Sequence, residues 1–297
     1  MDLGSPEHRA RMCRFFVDSH LAYDADEIAW PEPTEDERSF LVNLPIWDEA
    51  VNTEHETALL VRAMADAERD PVLAEAIGLQ AFEEERHSVL VSALTGHYGI
   101  AVSRRPAPSI GDPEWAFLRS GWSESIDSFF AFGVYAVART DALIPTELLD
   151  VFDVVMQEEA RHILFFESWR LYRRRHRDRR WPALPALAAA GANLPAAGAD
   201  LAAVTVNVVD RLRLAFDAAR KRSRRDENFL LSGARVLEGL TPRSFLATCL
   251  AEHARRLAPY DPALPRPGRI PALARGVLRV LPDHRPSAPT RLGQAPQ

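Results

Sequence analysis

The sequence predicts an all-α fold: a bundle of four long helices arranged as two antiparallel hairpins, with additional helices at the C-terminal side. Apolar residues recur at helical spacing through four segments between residues 45 and 175. Asp70-Pro71 and Asp112-Pro113 each supply a capping side chain followed by a proline suited to the first helical position. No stretch shows a strand pattern long enough to build a sheet on.

Residues 1–44 read as one short helix followed by an acidic, proline-rich loop (WPEPTEDERS). From Pro45 the pattern turns helical. The first long segment runs to Ala67, the second from Pro71 to about Tyr98, the third from Asp112-Pro113 to about Thr140, and the fourth from Pro145 to Arg175. The links inside each pair are short, so each pair should form an antiparallel hairpin, while the longer stretch 99–111 can cross the bundle. Further on, Leu201–Arg220, Phe229–Leu237 and Pro242–Leu257 read as helices, followed by a basic apolar piece, ALARGVLRVLP. The proline-rich end from Pro282 has the composition of a disordered tail. The chain thus divides into an N-terminal helix and loop (1–44), the bundle (45–176), a helical extension packing on it (177–281) and a tail (282–297).

Bulk properties narrow the function. A chain of 297 residues, 47% hydrophobic, can bury one large core plus an appendage, or two modest domains. A net charge of -6 and a pI near 5.9 provide no field that attracts phosphates, which argues against nucleic-acid binding. Two distant cysteines, Cys13 and Cys249, are too few for a disulfide framework, a zinc ribbon or a rubredoxin-type iron site. The N-terminus is charged where a signal peptide needs an apolar run. The most apolar stretch, Ala183–Val209, is broken by Gly191, Pro195, Gly198 and Asp200, so no membrane span is expected. A reduced, cytoplasmic setting follows as the expectation.

The chemistry lies in a weak internal repeat. FEEERH (Phe82–His87) and QEEARH (Gln157–His162) share E-E-x-R-H, each near the middle of the second helix of a hairpin. A helix sets residues i and i+3 on one face, so Glu84/His87 and Glu159/His162 can each offer an oxygen and a nitrogen to one metal ion. Positions 73, 77, 80, 84, 87, 91 and 94 read Leu, Ile, Gln, Glu, His, Val, Leu. Positions 148, 152, 155, 159, 162, 166 and 169 read Leu, Phe, Val, Glu, His, Phe, Trp. In both, Glu and His interrupt a largely apolar stripe, where an unpaired ionised carboxylate is costly.

A bundle that binds two metals also needs a Glu from each remaining helix. On the first helix Glu54 interrupts the stripe Trp47, Val51, Ala58, Val61, whereas the face of Glu56 carries Glu49 and Asn52 and reads as solvated. Glu54 and Glu84 are equally far from Arg69 at the turn, hence level in an antiparallel hairpin. On the third helix Glu124 is favoured and Asp127, about one turn away, stays open as the alternative. A metal-free polar seam, with Arg86 and Arg161 as buried ion pairs, is the competing reading. His55 reads as a surface residue. The basic run Arg170–Arg180 suits a helix C-terminus, with a docking patch for an acidic redox partner as the alternative.

These residues resemble the ferritin-like di-iron carboxylate superfamily, which includes rubrerythrins, the small subunit of ribonucleotide reductase, acyl-carrier desaturases, bacterial multicomponent monooxygenases and aryl-amine N-oxygenases. The resemblance covers about residues 45–175. It implies that Glu54, Glu84, His87, Glu124, Glu159 and His162 are metal-binding and catalytic, and that Glu83, Arg86, Glu158 and Arg161 surround and orient them. It implies two iron ions, with manganese fitting the same ligand set, O₂ as a reactant and an external electron donor. It places Ser128 where some monooxygenases carry a hydroxyl near the oxygen site. Val91 stands where the reductase subunit has its tyrosine, and Val155 where the N-oxygenases have an extra histidine, so neither of those is a close match. The expected function is a di-iron oxygenase or oxidase that hydroxylates or N-oxygenates a small organic substrate. The alternatives are a ferroxidase or peroxide-scavenging, metal-handling protein and a non-catalytic helical interaction module. A homodimer is compatible with the sequence.

Overall fold

A computed structural model of the chain describes residues 1–44, 46–141, 144–176, 181–182, 193–194, 200, 202–207 and 240–281. The regular structure of its described residues is helical apart from one two-residue strand pair. The elements are α1 (Pro6–Asp18), a 3₁₀ turn (Ala25–Glu27), α2 (Glu35–Val42), α3 (Trp47–Ala67), α4 (Pro71–His97), α5 (Pro113–Asp141) and α6 (Thr146–Arg175), then α7 (Pro242–Leu257) and α8 (Arg269–Val280). A two-residue antiparallel pair, Trp181–Pro182 with Asn193–Leu194, is too short to form a layer. The helices expected at Leu201–Arg220 and Phe229–Leu237, and the tail, fall mostly or wholly outside the described residues, with a helical stretch at 202–207 inside them. No described helix is long and apolar enough to cross a membrane.

The four long segments become α3–α6 within one or two residues of their expected ends. Asp70 caps α4 by accepting from the Val72 N–H, and the backbone N–H groups of Glu114 and Trp115 donate to Asp112 at the start of α5. The N-terminal region departs from expectation, because α2 replaces part of the predicted loop. Thr34 and Glu37 form a reciprocal capping box there, which satisfies two free N–H groups and starts a helix in a proline-rich stretch.

α3 packs along α4 and against α5, and α5 packs on α6. α1 lies across α4 and α6, while α7 covers α5. Two apolar clusters fill opposite ends of this assembly. One gathers Val61, Met64, Leu73, Ile77, Phe117, and Phe166. The other gathers Trp47, Val51, Val91, Leu94, Tyr135 and Leu148. Leu73 with Met64 at one end and Val91 with Val51 at the other show that α3 and α4 run antiparallel. The level between the two clusters is where Glu54, Glu84 and His87 fall.

The face of α3 that carries Asn52 and Glu56 is solvated only in part: Glu49 and Glu56 stay partly exposed, while Asn52 is buried. The crossing link between α4 and α5 lies on it. Buried Asn52 bonds the backbone of Ser103 and Arg105, and the Arg105 side chain pairs with Glu49 and Glu56. The cations at the end of α6 are also engaged within the chain: Arg173 with Glu68 and Glu114, Arg174 with Asp200, and Arg175 with Asp2. Within the described part of the basic run this leaves less free charge for an acidic partner than the bare sequence suggests, and residues 177–180 of that run lie outside the described residues.

The close crossing of α5 and α7 depends on Gly133, where an added Cβ would stand 2.3 Å from the Cys249 sulfur and 3.0 Å from the Phe245 ring. Gly133→Ala is expected to destabilise the protein by about 1–3 kcal/mol through overpacking. Urea denaturation should show the loss, and Cys249→Ala in the same chain should recover part of it.

Candidate metal centre

Six side chains named by the sequence meet at one buried level. His87 Nδ1 lies 3.5 Å from Glu54 Oε2, 3.3 Å from Glu159 Oε1 and 3.9 Å from Glu84 Oε2. His162 Nδ1 lies 2.9 Å from Glu84 Oε1 and 3.9 Å from Glu159 Oε1. The donor atoms form two groups that share Glu84: one of Glu54, Glu84, His87 and Glu159, the other of Glu84, Glu124 and His162, with all atoms of a group within 4.8 Å of one another. Glu124 is thus the α5 member. Asp127 stands apart from the cluster and accepts a bond from Ser123 one turn back. His55 is exposed, as its sequence position suggested.

A set of polar hydrogen bonds holds the carboxylates. Ser128 Oγ donates to Glu159 Oε2 (2.9 Å), and Ser120 Oγ donates to Glu124 Oε1 (3.1 Å). Gln80 Nε2 reaches both Glu124 Oε2 (3.3 Å) and Glu84 Oε1 (3.4 Å). Ser120 and Gln80 did not stand out in the sequence. Gln80 lies on the inward stripe of α4, and its polar character there was the available signal.

The surrounding acids cross between helices. Glu158 of α6 accepts from His87 Nε2 of α4 (2.9 Å) and pairs with Arg86. Glu83 of α4 accepts from His162 Nε2 of α6 (2.8 Å) and from Arg161 (2.7 Å). With Nε2–H donating outward, each imidazole, when it gives up its second proton, turns an Nδ1 lone pair inward. Both Nδ1 atoms are buried, and neither makes a hydrogen bond despite the nearby carboxylates. Close oxygen neighbours without hydrogen-bond alignment are what a metal-ligating imidazole shows once the ion is taken away. A divalent ion bonds such nitrogens and oxygens at about 2.0–2.2 Å, so donor atoms 3–4 Å apart can share one. The residues fit a metal, and the buried Glu/His groups could hold one.

Electrostatics lead to the same point. Burial, reinforced by the charges of Glu159 and Glu84 and only partly offset by His87, pushes the Glu54 carboxyl up to about 7. Burial and the charges of Glu84 and Glu159 drive Glu124 well above the carboxylate range. Burial opposes charge on both imidazoles, but Glu158, Glu159 and Glu54 raise His87, and Glu84 and Glu83 raise His162. Glu83 sits at about 2, because His162 and Arg161 outweigh its burial. Without a cation, the cluster must retain protons to exist.

The sign of the resulting pH dependence follows. Groups raised in the folded state stabilise it fully below their unfolded values, and that stability is lost as pH rises through the folded values. Metal-free protein should therefore melt at lower temperature at about pH 8 than at about pH 5.5, and Glu54→Gln should flatten that slope. Metal-loaded protein should show the reverse trend over the same range, because ligation displaces the protons. Calorimetry on both forms checks this. No protein-family model, no curated protein and no solved structure matches this chain.

Proposed function

We propose that α3–α6 form a ferritin-like four-helix bundle whose centre holds two iron ions, and that the protein is an oxygenase or oxidase acting on a small organic substrate. The observation that carries this reading is the pair of buried Nδ1 atoms, unpartnered and facing four carboxylates, while each Nε2 is held by an acid from the other motif helix. Six ligands of mixed oxygen and nitrogen type suit iron or manganese better than copper. Bound there, two iron ions would supply the capacity to bind and reductively activate O₂.

The chain's own residues define the rest. Glu84 is common to both donor groups, so it would help to hold both ions. Glu158 and Glu83 keep the imidazole tautomers fixed, and Arg86 and Arg161 pair with those acids. Ser128, bonded to Glu159, keeps a hydroxyl beside the centre. α7 covers α5, which is more chain than an ion store requires. Two cysteines and no nucleotide fingerprint leave electrons to come from an external donor.

One observation favours a second reading, a ferroxidase or other metal-handling protein. The Glu54 side chain is 23% exposed while the other five residues of the cluster are buried, so the centre reaches solvent on the Glu54 side. Ferrous loading followed by oxygen exposure separates the readings. An oxygenase should bind about two irons per chain, consume oxygen in stoichiometric amounts with reductant, and oxidise an added substrate. Growing ferric oxide would indicate metal handling, and no metal uptake would leave an interaction module. Glu158→Gln should weaken metal affinity about 10–100-fold while keeping all six ligands, as chelator competition would measure.

A further inference from the structure

The metal reading uses residues of α3–α6, yet the two arginines that support the centre are anchored elsewhere. Arg161 donates to the Phe16 carbonyl (2.6 Å) and the Ser19 hydroxyl (2.9 Å). Arg86 donates to the carbonyls of Leu21 and Tyr23 (3.0 Å each) and lies 3.7 Å over the Tyr23 ring. One short stretch at the end of α1 therefore binds both guanidinium groups. The same stretch reaches both acids. His20 Nδ1 lies 2.5 Å from Glu83 Oε1, and the Tyr23 hydroxyl donates to Glu158 Oε2 (3.3 Å).

His20, Glu83 and Glu158 bring their donor atoms close enough to share a cation. Their surroundings already provide two: Arg86 on Glu158 and Arg161 on Glu83. With both carboxylates paired, a third metal has no uncompensated charge to bind. What the arrangement provides is support for the imidazoles. Glu83 divides its two oxygens, Oε2 toward His162 and Oε1 toward Arg161 and His20. Fixing Oε1 from two sides fixes the plane of the carboxylate and, through Oε2, the direction in which His162 aims Nδ1. A free carboxylate rotates, and an imidazole bonded to it would turn with it.

We propose that segment 16–23 is an integral part of the metal centre, and that His20 is a positioning residue that sets the His162 imidazole through Glu83. This rests on the two-metal reading above. Orienting partners of this kind commonly alter metal affinity by about 10–100-fold when lost.

The test uses the full-length chain loaded with Co²⁺, whose visible absorption reports ligand geometry. His20→Leu and His20→Asn are close in size, and the Asn amide can still donate to Glu83. His20 is 27% exposed, so either residue should be accommodated, and His20→Ala is a second variant without the hydrogen bond. Arg11→Ala removes an α1 contact to Asp261 remote from the centre. The expected result is cobalt release to a chelator about tenfold faster in His20→Leu and His20→Ala, with a changed absorption band. His20→Asn should restore both, and Arg11→Ala should change neither. Parental release and absorption in the Leu and Ala variants would overturn the proposal, as would equal loss in the Leu, Asn and Arg11 variants. A parent protein that takes up no cobalt would overturn the two-metal reading and this proposal together.

Discussion

Six glutamates lie at one level inside a helical assembly, and their charge must be balanced there. A carboxylate removed from water costs several kcal/mol unless paired. Arg86 and Arg161 balance two of the six, Glu158 and Glu83. The remaining four, Glu54, Glu84, Glu124 and Glu159, face only two imidazoles. Protons can balance part of that charge and cations can balance it fully. The apolar clusters at either end hold water away and so make the balance obligatory. Much else in the structure serves this one requirement, from the serines that bond carboxylate oxygens to the N-terminal stretch that holds the arginines.

The crossing of the outer pairs has a consequence for assembly. Each imidazole depends on an acid from the other motif helix, His87 of α4 on Glu158 of α6 and His162 of α6 on Glu83 of α4. Neither helix orients its own histidine. Direct backbone contact between α4 and α6 is sparse compared with that between α3 and α4, so these charged links and α1, which touches both helices, do much to join α4 to α6, while α3 packs directly on α5. The centre is then a product of the whole fold and of no single motif.

Helix faces were legible because burial imposes a period on the sequence. The stripes favoured Glu54 over Glu56 and set Glu84, His87, Glu159 and His162 on inward faces, while Asp127 stayed open beside Glu124. Periodicity tells which face a residue occupies and leaves open which residue it meets, so the exchange of partners between the E-E-x-R-H motifs could not be read. The part played by Ser19, His20 and Tyr23 was hidden for the same reason: their partners lie more than sixty residues away, and nothing in the local pattern marks them. α2 was a different kind of miss. Thr34 and Glu37 carried a readable capping box, and the prolines around them obscured it. Asn52 misled by composition, since a polar residue looked solvated when it was holding the crossing link.

The two thiols have a chemical consequence of their own. Cys13 lies on the buried face of α1 and Cys249 is wedged against Gly133, both buried and unpaired. Burial pushes each up to about 12. Nucleophilic attack on peroxides requires the anion, and at neutral pH almost none of it forms at either position. Under the proposed oxygen chemistry, the chain would carry its two thiols without offering reactive oxygen species an easy target at either.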